Sequence, residues 1–193
     1  MEEIIVLDFK SEYNKHIIEK LDSLNIKSKL VDFDISLEEI KKLNVKGIIL
    51  SGSPKSVYSI DSYRCDNRIF SSNIPILGIC YGMQLISYMN GGMVEAMPKK
   101  EYETKEIEVT SNDSILFKGL SNKEMMWMDH GDWVTKVPTG FIVTSRSAIS
   151  PITSIENKKR NIYGVQFHPE MDGSINGINI FKNFIFDVCQ IKK

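Results

Sequence analysis

Long apolar runs are missing from this 193-residue chain. No stretch approaches the ~20 residues that a membrane-spanning helix requires. An excess of charge of one sign is missing too: 24 Lys and Arg stand against 25 Asp and Glu, for a net charge of −1. That balance gives no footprint for nucleic acid and no polybasic flank for a membrane surface. Glu2 and Glu3 stand where a signal peptide carries positive charge. Cysteine is scarce, with Cys65, Cys80 and Cys189 forming no Cys-x-x-Cys pair. An odd, scattered set fits free thiols in a reducing cytoplasm rather than a disulfide framework. Histidine is equally scarce. His16, His130 and His168 are too far apart in sequence for an H-x-x-x-H metal spacing, so no metal site is expected. No nucleotide-phosphate loop of the G-x-x-x-x-G-K-[ST] type occurs. What remains is an ordinary globular composition, 42% hydrophobic and 25% charged, in a length that suits one core over residues 1–193.

The first half alternates two periods. Ile4 to Leu7 reads as a strand ending at Asp8, and Ser11 is placed to cap a helix with Ile17, Ile18, Leu21 and Leu24 on one face. Leu30 to Phe33 is a second strand. Ser36 and Glu39 then form a capping box for a short helix. Val45 to Leu50 and Ile74 to Cys80 are further strands, and Tyr81 to Asn90 has helical spacing. Strands this continuously apolar, alternating with helices, predict a parallel sheet covered on both faces. The second half is different. Lys105–Thr110, Met125–Met128, Phe141–Ser145, Ile152–Ile155 and Ile162–Phe167 read as strands joined by short turns, which favours antiparallel or mixed pairing. A last helix is expected to bury Ile175, Ile178, Phe181, Phe184, Ile185 and Val188. The fold class expected is α/β, a three-layer sandwich around a mostly parallel mixed sheet.

Chemistry is concentrated at strand ends. In Gly78-Ile79-Cys80-Tyr81-Gly82 a buried strand runs straight into a helix through a cysteine. This is the G-x-S-x-G elbow with sulfur in place of oxygen. Such a turn exposes the nucleophile beside the helix N-terminus, whose N–H groups stabilise a thiolate and later an oxyanion. A strand-end cysteine packed between glycines is the plainer alternative. In Phe167-His168-Pro169-Glu170, side chains two apart face the same way if the segment is extended, pairing a base with an orienting carboxylate. Leu50-Ser51-Gly52-Ser53-Pro54 follows another strand and offers backbone N–H groups for an oxyanion hole, or is an ordinary turn. Trp127-Met128-Asp129-His130-Gly131-Asp132-Trp133 reads as a polar loop after an apolar strand. Its two tryptophans suit packing rather than base stacking, since no basic stripe accompanies them.

Taken together, PILGICYGMQLI at 75–86, YGVQFHPE at 163–170, GIILSGSPKSV at 47–57 and WMDHGDWV at 127–134 resemble the class I, triad-type glutamine amidotransferases. Within that class the Asp8-Phe9-x-Ser11-x-Tyr13 start and the M-x-H-G-D segment look like the glutaminase part of GMP synthases. The resemblance runs from about Ile4 to Cys189. It implies a flavodoxin-like class I amidotransferase fold, with Cys80 as nucleophile, His168 as general acid and base and Glu170 as its orienter. It implies an oxyanion hole from the backbone N–H groups of Ser53 and Tyr81. It also implies that Gln84, Asp129, Gly131 and Asp132 hold the two charged ends of L-glutamine. No cofactor is implied in this chain; ATP and Mg belong to an ATP-pyrophosphatase synthetase partner that converts XMP to GMP. A different ammonia acceptor, or a catalytically idle binding protein on the same fold, are the alternatives. The chain departs from the family pattern at Lys10, Glu12, Ser53, Asp129 and Met171–Ser174. At Ser53, in place of a glycine, a positive φ is expected to cost energy. Residues 171–174 are expected near the docking side.

Overall fold

The computed structural model describes residues 3–192; Glu2 lies outside them. One sheet of 9 strands runs in the order β2-β1-β3-β4-β9-β8-β7-β5-β6. The strands are β1 (Ile4–Asp8), β2 (Ser28–Asp32), β3 (Gly47–Leu50), β4 (Ile76–Ile79), β5 (Met93–Val109), β6 (Lys123–Lys136), β7 (Ile142–Ser147), β8 (Ser154–Asn157) and β9 (Ile162–Val165). From β2 to β9 all pairings are parallel, and from β9 to β6 all are antiparallel.

Strand alternation divides the core. Ile4, Val6, Ile49, Leu77 and Ile79 face one side, where they meet helix α1 (Asn14–Ser23) and helix α4 (Gly177–Lys182) with its π-helical continuation Asn183–Val188. Ile5, Leu7, Ile48, Leu50 and Ile76 face the other, against α2 (Leu37–Leu43) and α3 (Tyr81–Met89). Each of these ten residues is fully buried, as a sheet covered on both faces demands. Helices on both sides of a mixed sheet give the expected three layers.

Local signals explain the elements unevenly. Ser36 Oγ accepts from Glu39 N while Glu39 returns a bond to Ser36 N, so the capping box starts α2 as expected. Ser11 does not cap α1. Its hydroxyl accepts from Tyr13 N in a local turn, and the helix begins later, at Asn14. The last helix also begins late: Ile175 is 70% exposed and off the buried face and Ile178 is half-buried, while Ile180, Phe181, Phe184 and Ile185 are fully buried. β5 and β6 are far longer than the short strands expected at 105–110 and 125–128. They form a two-stranded arm with a register shift between Ala96 and Glu101. Met126 and Met128 on β6 join the core on the α1/α4 side, and Val134 joins the other. Residues 129–132 lie between, within the strand rather than in the loop expected there.

No helix among the described residues is long and apolar enough to cross a membrane.

Candidate active site

Three neighbouring parallel strands deliver three segments to one edge. β4 leads to Cys80, β9 leads to His168, and β3 leads to Ser51–Ser53. Ile79 is in register with Val165, and Leu50 with Gly78. Ligand sites of open parallel sheets form at such carboxyl ends. The cavity there measures about 580 Å³ and is lined by Cys80, His168, Ser53, Tyr81, Gln84, Asp129, Gly131 and Asp132, among others. Every residue expected to contact glutamine is therefore brought to one place.

The elbow is tight. Cys80 has φ 53 and ψ −107, a conformation that side chains rarely adopt and that costs about 1–3 kcal/mol. The turn closes because glycines flank it. A Cβ on Gly82 would stand 2.3 Å from the Leu50 carbonyl oxygen, and one on Gly78 would stand 2.5 Å from the Gly82 carbonyl carbon. Tyr81 opens α3, so its N–H has no acceptor within the helix. The Cys80 sulfur itself contacts the Asp129 carbonyl at 3.5 Å and is approached by Gln166 Nε2 at 3.6 Å. The other thiols are not comparable. Burial pushes Cys65 up to about 12 and raises Cys189 as well, so neither is a ready nucleophile.

His168 is 3% exposed and Glu170 1%. His168 Nδ1 lies 2.7 Å from Glu170 Oε1. Burial pulls the imidazole down. The Glu170 charge, the charge and hydrogen bonding of the nearby Cys80 sulfur, and the Glu170 hydrogen bond outweigh it, holding His168 well above the ordinary histidine value. The pairing is achieved differently from the expectation. β9 ends at Val165, and 168–171 form a turn closed by Met171 N donating to the His168 carbonyl at 3.2 Å. Pro169 makes that turn rather than an extended link.

Several supports come from residues to which the sequence assigned no role in the site. The Tyr13 ring packs edge-on to the His168 ring with centroids 4.8 Å apart, and its hydroxyl donates to Asp129 Oδ2 at 2.8 Å. Ser174 is buried; its hydroxyl donates to the His168 carbonyl at 2.6 Å and accepts from Trp127 N at 2.9 Å. Within 171–174, only Asp172 is freely exposed; Ser174 works on the site. His168 N donates to the Trp127 carbonyl at 2.9 Å, which fastens β6 over the sheet edge.

The wall opposite Cys80 comes from β6. Gln84, 3% exposed, donates from Nε2 to the Asp132 carbonyl at 2.9 Å and to Gln166 Oε1 at 3.2 Å. The His130 ring approaches the same carbonyl through Nδ1 at 2.9 Å and Glu101 Oε2 through Nε2 at 2.8 Å, both side chains fully buried. A carbonyl only accepts, so Nδ1 carries a proton. The Asp132 carboxylate accepts from Ser56 Oγ at 2.5 Å and Tyr58 OH at 2.7 Å. Ser53 is not among the residues with positive φ. The strain expected there does not arise. Lys10, where the family carries glycine, does take φ 66. Among the described residues, no group of three or more His, Cys, Asp or Glu is placed to hold a metal ion.

Comparison with known proteins follows the same line. The family model described as glutamine amidotransferase class-I matches residues 5–188. A GMP synthase (glutamine-hydrolyzing) of Lactobacillus gasseri is 49% identical over 99% of this chain and 37% of its own length. That of Brachyspira hyodysenteriae is 42% identical over 100% of this chain and 37% of its own. The chain thus spans a little over a third of the curated relatives it matches. Among solved structures, a GMP synthase subunit protein of Thermoplasma acidophilum superposes with a TM-score of 0.87 at 29% identity, covering 98% of this chain and 94% of that one. A glutamine amidotransferase of Thermotoga maritima, at 14% identity and a TM-score of 0.80, shares the fold over 98% of this chain and 99% of its own.

Proposed function

This chain belongs to the class-I glutamine amidotransferase family, and we propose that it hydrolyses glutamine to glutamate and ammonia through a thioester on Cys80. The observation that carries the reading is the meeting of Cys80, on a strained elbow, with the Glu170-paired ring of His168 in one cavity.

In this reading the Cys80 thiolate attacks the side-chain amide carbon of glutamine. The developing oxyanion is met by the N–H groups of Ser53 and Tyr81; one such donor supplies about 3 kcal/mol of transition-state stabilisation. His168, held protonated by its neighbours, gives its proton to the departing nitrogen, and ammonia leaves a γ-glutamyl thioester. The ring, now neutral, takes a proton from water; the hydroxide attacks the thioester carbonyl and expels the Cys80 thiolate, and glutamate leaves with its carboxyl proton lost to solvent, which restores the thiolate and the protonated His168 of the start. Glu170 holds the ring in the orientation both transfers need. Gln84, Asp129, Gly131 and Asp132 hold the α-amino and α-carboxylate ends of the substrate.

The ammonia serves a synthetase partner that converts XMP to GMP, on the strength of relatives at nearly half identity across the whole chain. ATP and Mg act on that partner. That synthetase is a separate subunit or a further domain: the Thermoplasma protein is named a synthase subunit, whereas the Lactobacillus gasseri relative extends well beyond the matched region. A free nucleophilic thiol suits a reducing cytoplasm. Glutamate release, measured with and without a purified XMP-binding synthetase, tests the reading. Release that depends on Cys80 and rises with the synthetase and XMP supports it. Release unaffected by Cys80→Ala overturns the hydrolysis, and stimulation only by an acceptor other than XMP overturns the GMP assignment.

A further inference from the structure

Glutamine bound with its amide at Cys80 places a zwitterion a short methylene chain away. The α-ammonium needs an anion and the α-carboxylate a cation. The cavity offers three lysines, Lys10, Lys55 and Lys100, besides His130 and His168. Lys10 is paired with Asp8 at 3.1 Å and reaches Asp32 at 3.4 Å. Lys55 is paired with Asp61. His168 and His130 are held by Glu170 and Glu101. Lys100 differs: its counter-ion, Asp129 Oδ1 at 3.0 Å, is itself part of the cavity wall. Asp129 also meets Cys80, since its carbonyl receives the Cys80 sulfur contact.

The fold aims Lys100 at this point. The register of β5 against β6 slips between Ala96 and Glu101, which takes Lys100 out of the regular ladder. Bulges of this kind re-aim side chains beside active sites. The Lys100 side chain is 62% exposed and that of Asp129 13%, so the lysine is free to pivot while the carboxylate stays in the wall. Asp132 is a poorer candidate for the same exchange because hydroxyls of Ser56 and Tyr58 hold both of its oxygens, whereas Tyr13 holds only Oδ2 of Asp129 and leaves Oδ1 to Lys100.

We propose that Lys100 is the cation that binds the α-carboxylate of the substrate, with glutamine inserting into the Lys100–Asp129 pair so that Asp129 receives the α-ammonium. The proposal rests on the glutaminase reading above. It makes the bulged arm a determinant of specificity: the site takes an amino acid, not any primary amide.

Two alkylating probes separate the points. 6-Diazo-5-oxo-L-norleucine carries the amino-acid end of glutamine, and iodoacetamide does not. The ratio of their rates of Cys80 modification, followed by mass spectrometry on the full chain, cancels any general change in thiol reactivity. Lys100→Met is expected to lower that ratio about ten- to a hundredfold, the worth of a charge-assisted hydrogen bond, and Lys100→Arg to recover most of it. A ratio unchanged in Lys100→Met, or an arginine no better than methionine, overturns the role of Lys100 while leaving the glutaminase reading intact. A wild-type ratio no higher than the ratio the two reagents show with free cysteine overturns both.

Discussion

Cys80 donates its backbone N–H to the Val165 carbonyl at 2.8 Å. That bond extends the parallel pairing of β4 and β9 by one step, from Ile79–Val165 into the elbow. Because the strands run the same way, both chains leave the sheet at one edge, and His168 follows Val165 closely enough to share a cavity with the sulfur. The nucleophile and its base meet through sheet register, although Cys80 and His168 stand 88 positions apart in sequence.

The strain at Cys80 has a stability signature. Glycine ordinarily destabilises relative to alanine, but a residue at φ 53 reverses that order. Cys80→Gly is expected to unfold at higher urea than Cys80→Ala, by about 1 kcal/mol, while neither releases glutamate. Equilibrium urea unfolding of the two variants checks this.

The elbow glycines are tested by bulk. Gly82→Ala drives a methyl group against the Leu50 carbonyl, and the neighbour it meets is backbone, which cannot turn aside. A loss of about 1–3 kcal/mol is expected, together with a fall in Cys80 alkylation rate, read by urea midpoint and labelling. At Gly131 the nearest atom is the Lys100 side chain at 4.0 Å, so Gly131→Ala serves as the tolerant control for stability.

The His168–Glu170 pair makes stability depend on pH. The imidazole is raised in the folded chain, so its contribution is fully present below the unfolded histidine value of about 6.5 and is lost as pH climbs through the higher folded value. Glu170→Gln removes the charge that raises it. That variant is expected to flatten the alkaline fall in stability and to lower glutamate release by about ten- to a thousandfold. Urea midpoints across pH for both proteins provide the comparison.

Glu101 and His130 form a second buried acid–imidazole pair, and Glu101 Oε1 has no hydrogen-bond partner among the described residues. Removing one member strands the other. His130→Leu is expected to cost about 3–5 kcal/mol, and the double variant His130→Leu/Glu101→Leu to cost less than the single one. Loss of the clamp on the Asp132 carbonyl should raise KM for glutamine in both variants. Double-mutant analysis of unfolding, with steady-state kinetics, checks each part.

The parallel half of the fold is legible in the sequence because its strands are short apolar runs ending in chemistry: Ile76–Ile79 before Cys80 and Ile162–Val165 before the Phe-His-Pro-Glu segment. Local codes work as far as their physics allows. Ser36 and Glu39 bond reciprocally and start α2, whereas Ser11 has a competing local turn and caps nothing. The β5–β6 arm is hidden. Residues such as Glu95, Lys99, Lys100, Glu103 and Lys105 leave much of β5 exposed, so the two-residue hydrophobic alternation that marks a strand is diluted there. The partners drawn from the arm are hidden with it. Nothing in the sequence near Glu101 or Lys100 announces His130 or Asp129, because those pairings exist only once the strands are in register. The place of Ser174 is hidden for a related reason: its task depends on the turn at 168–171, which replaces the extended geometry expected for His168 and Glu170.

The thioester on Cys80 is the central claim, and acid-quenching the chain during turnover of carbon-14-labelled glutamine tests it most directly. Label is expected on the peptide containing Cys80, released by hydroxylamine and absent from Cys80→Ala. Labelled glutamate formed at an undiminished rate by Cys80→Ala, with no label on the protein at any time, would contradict it.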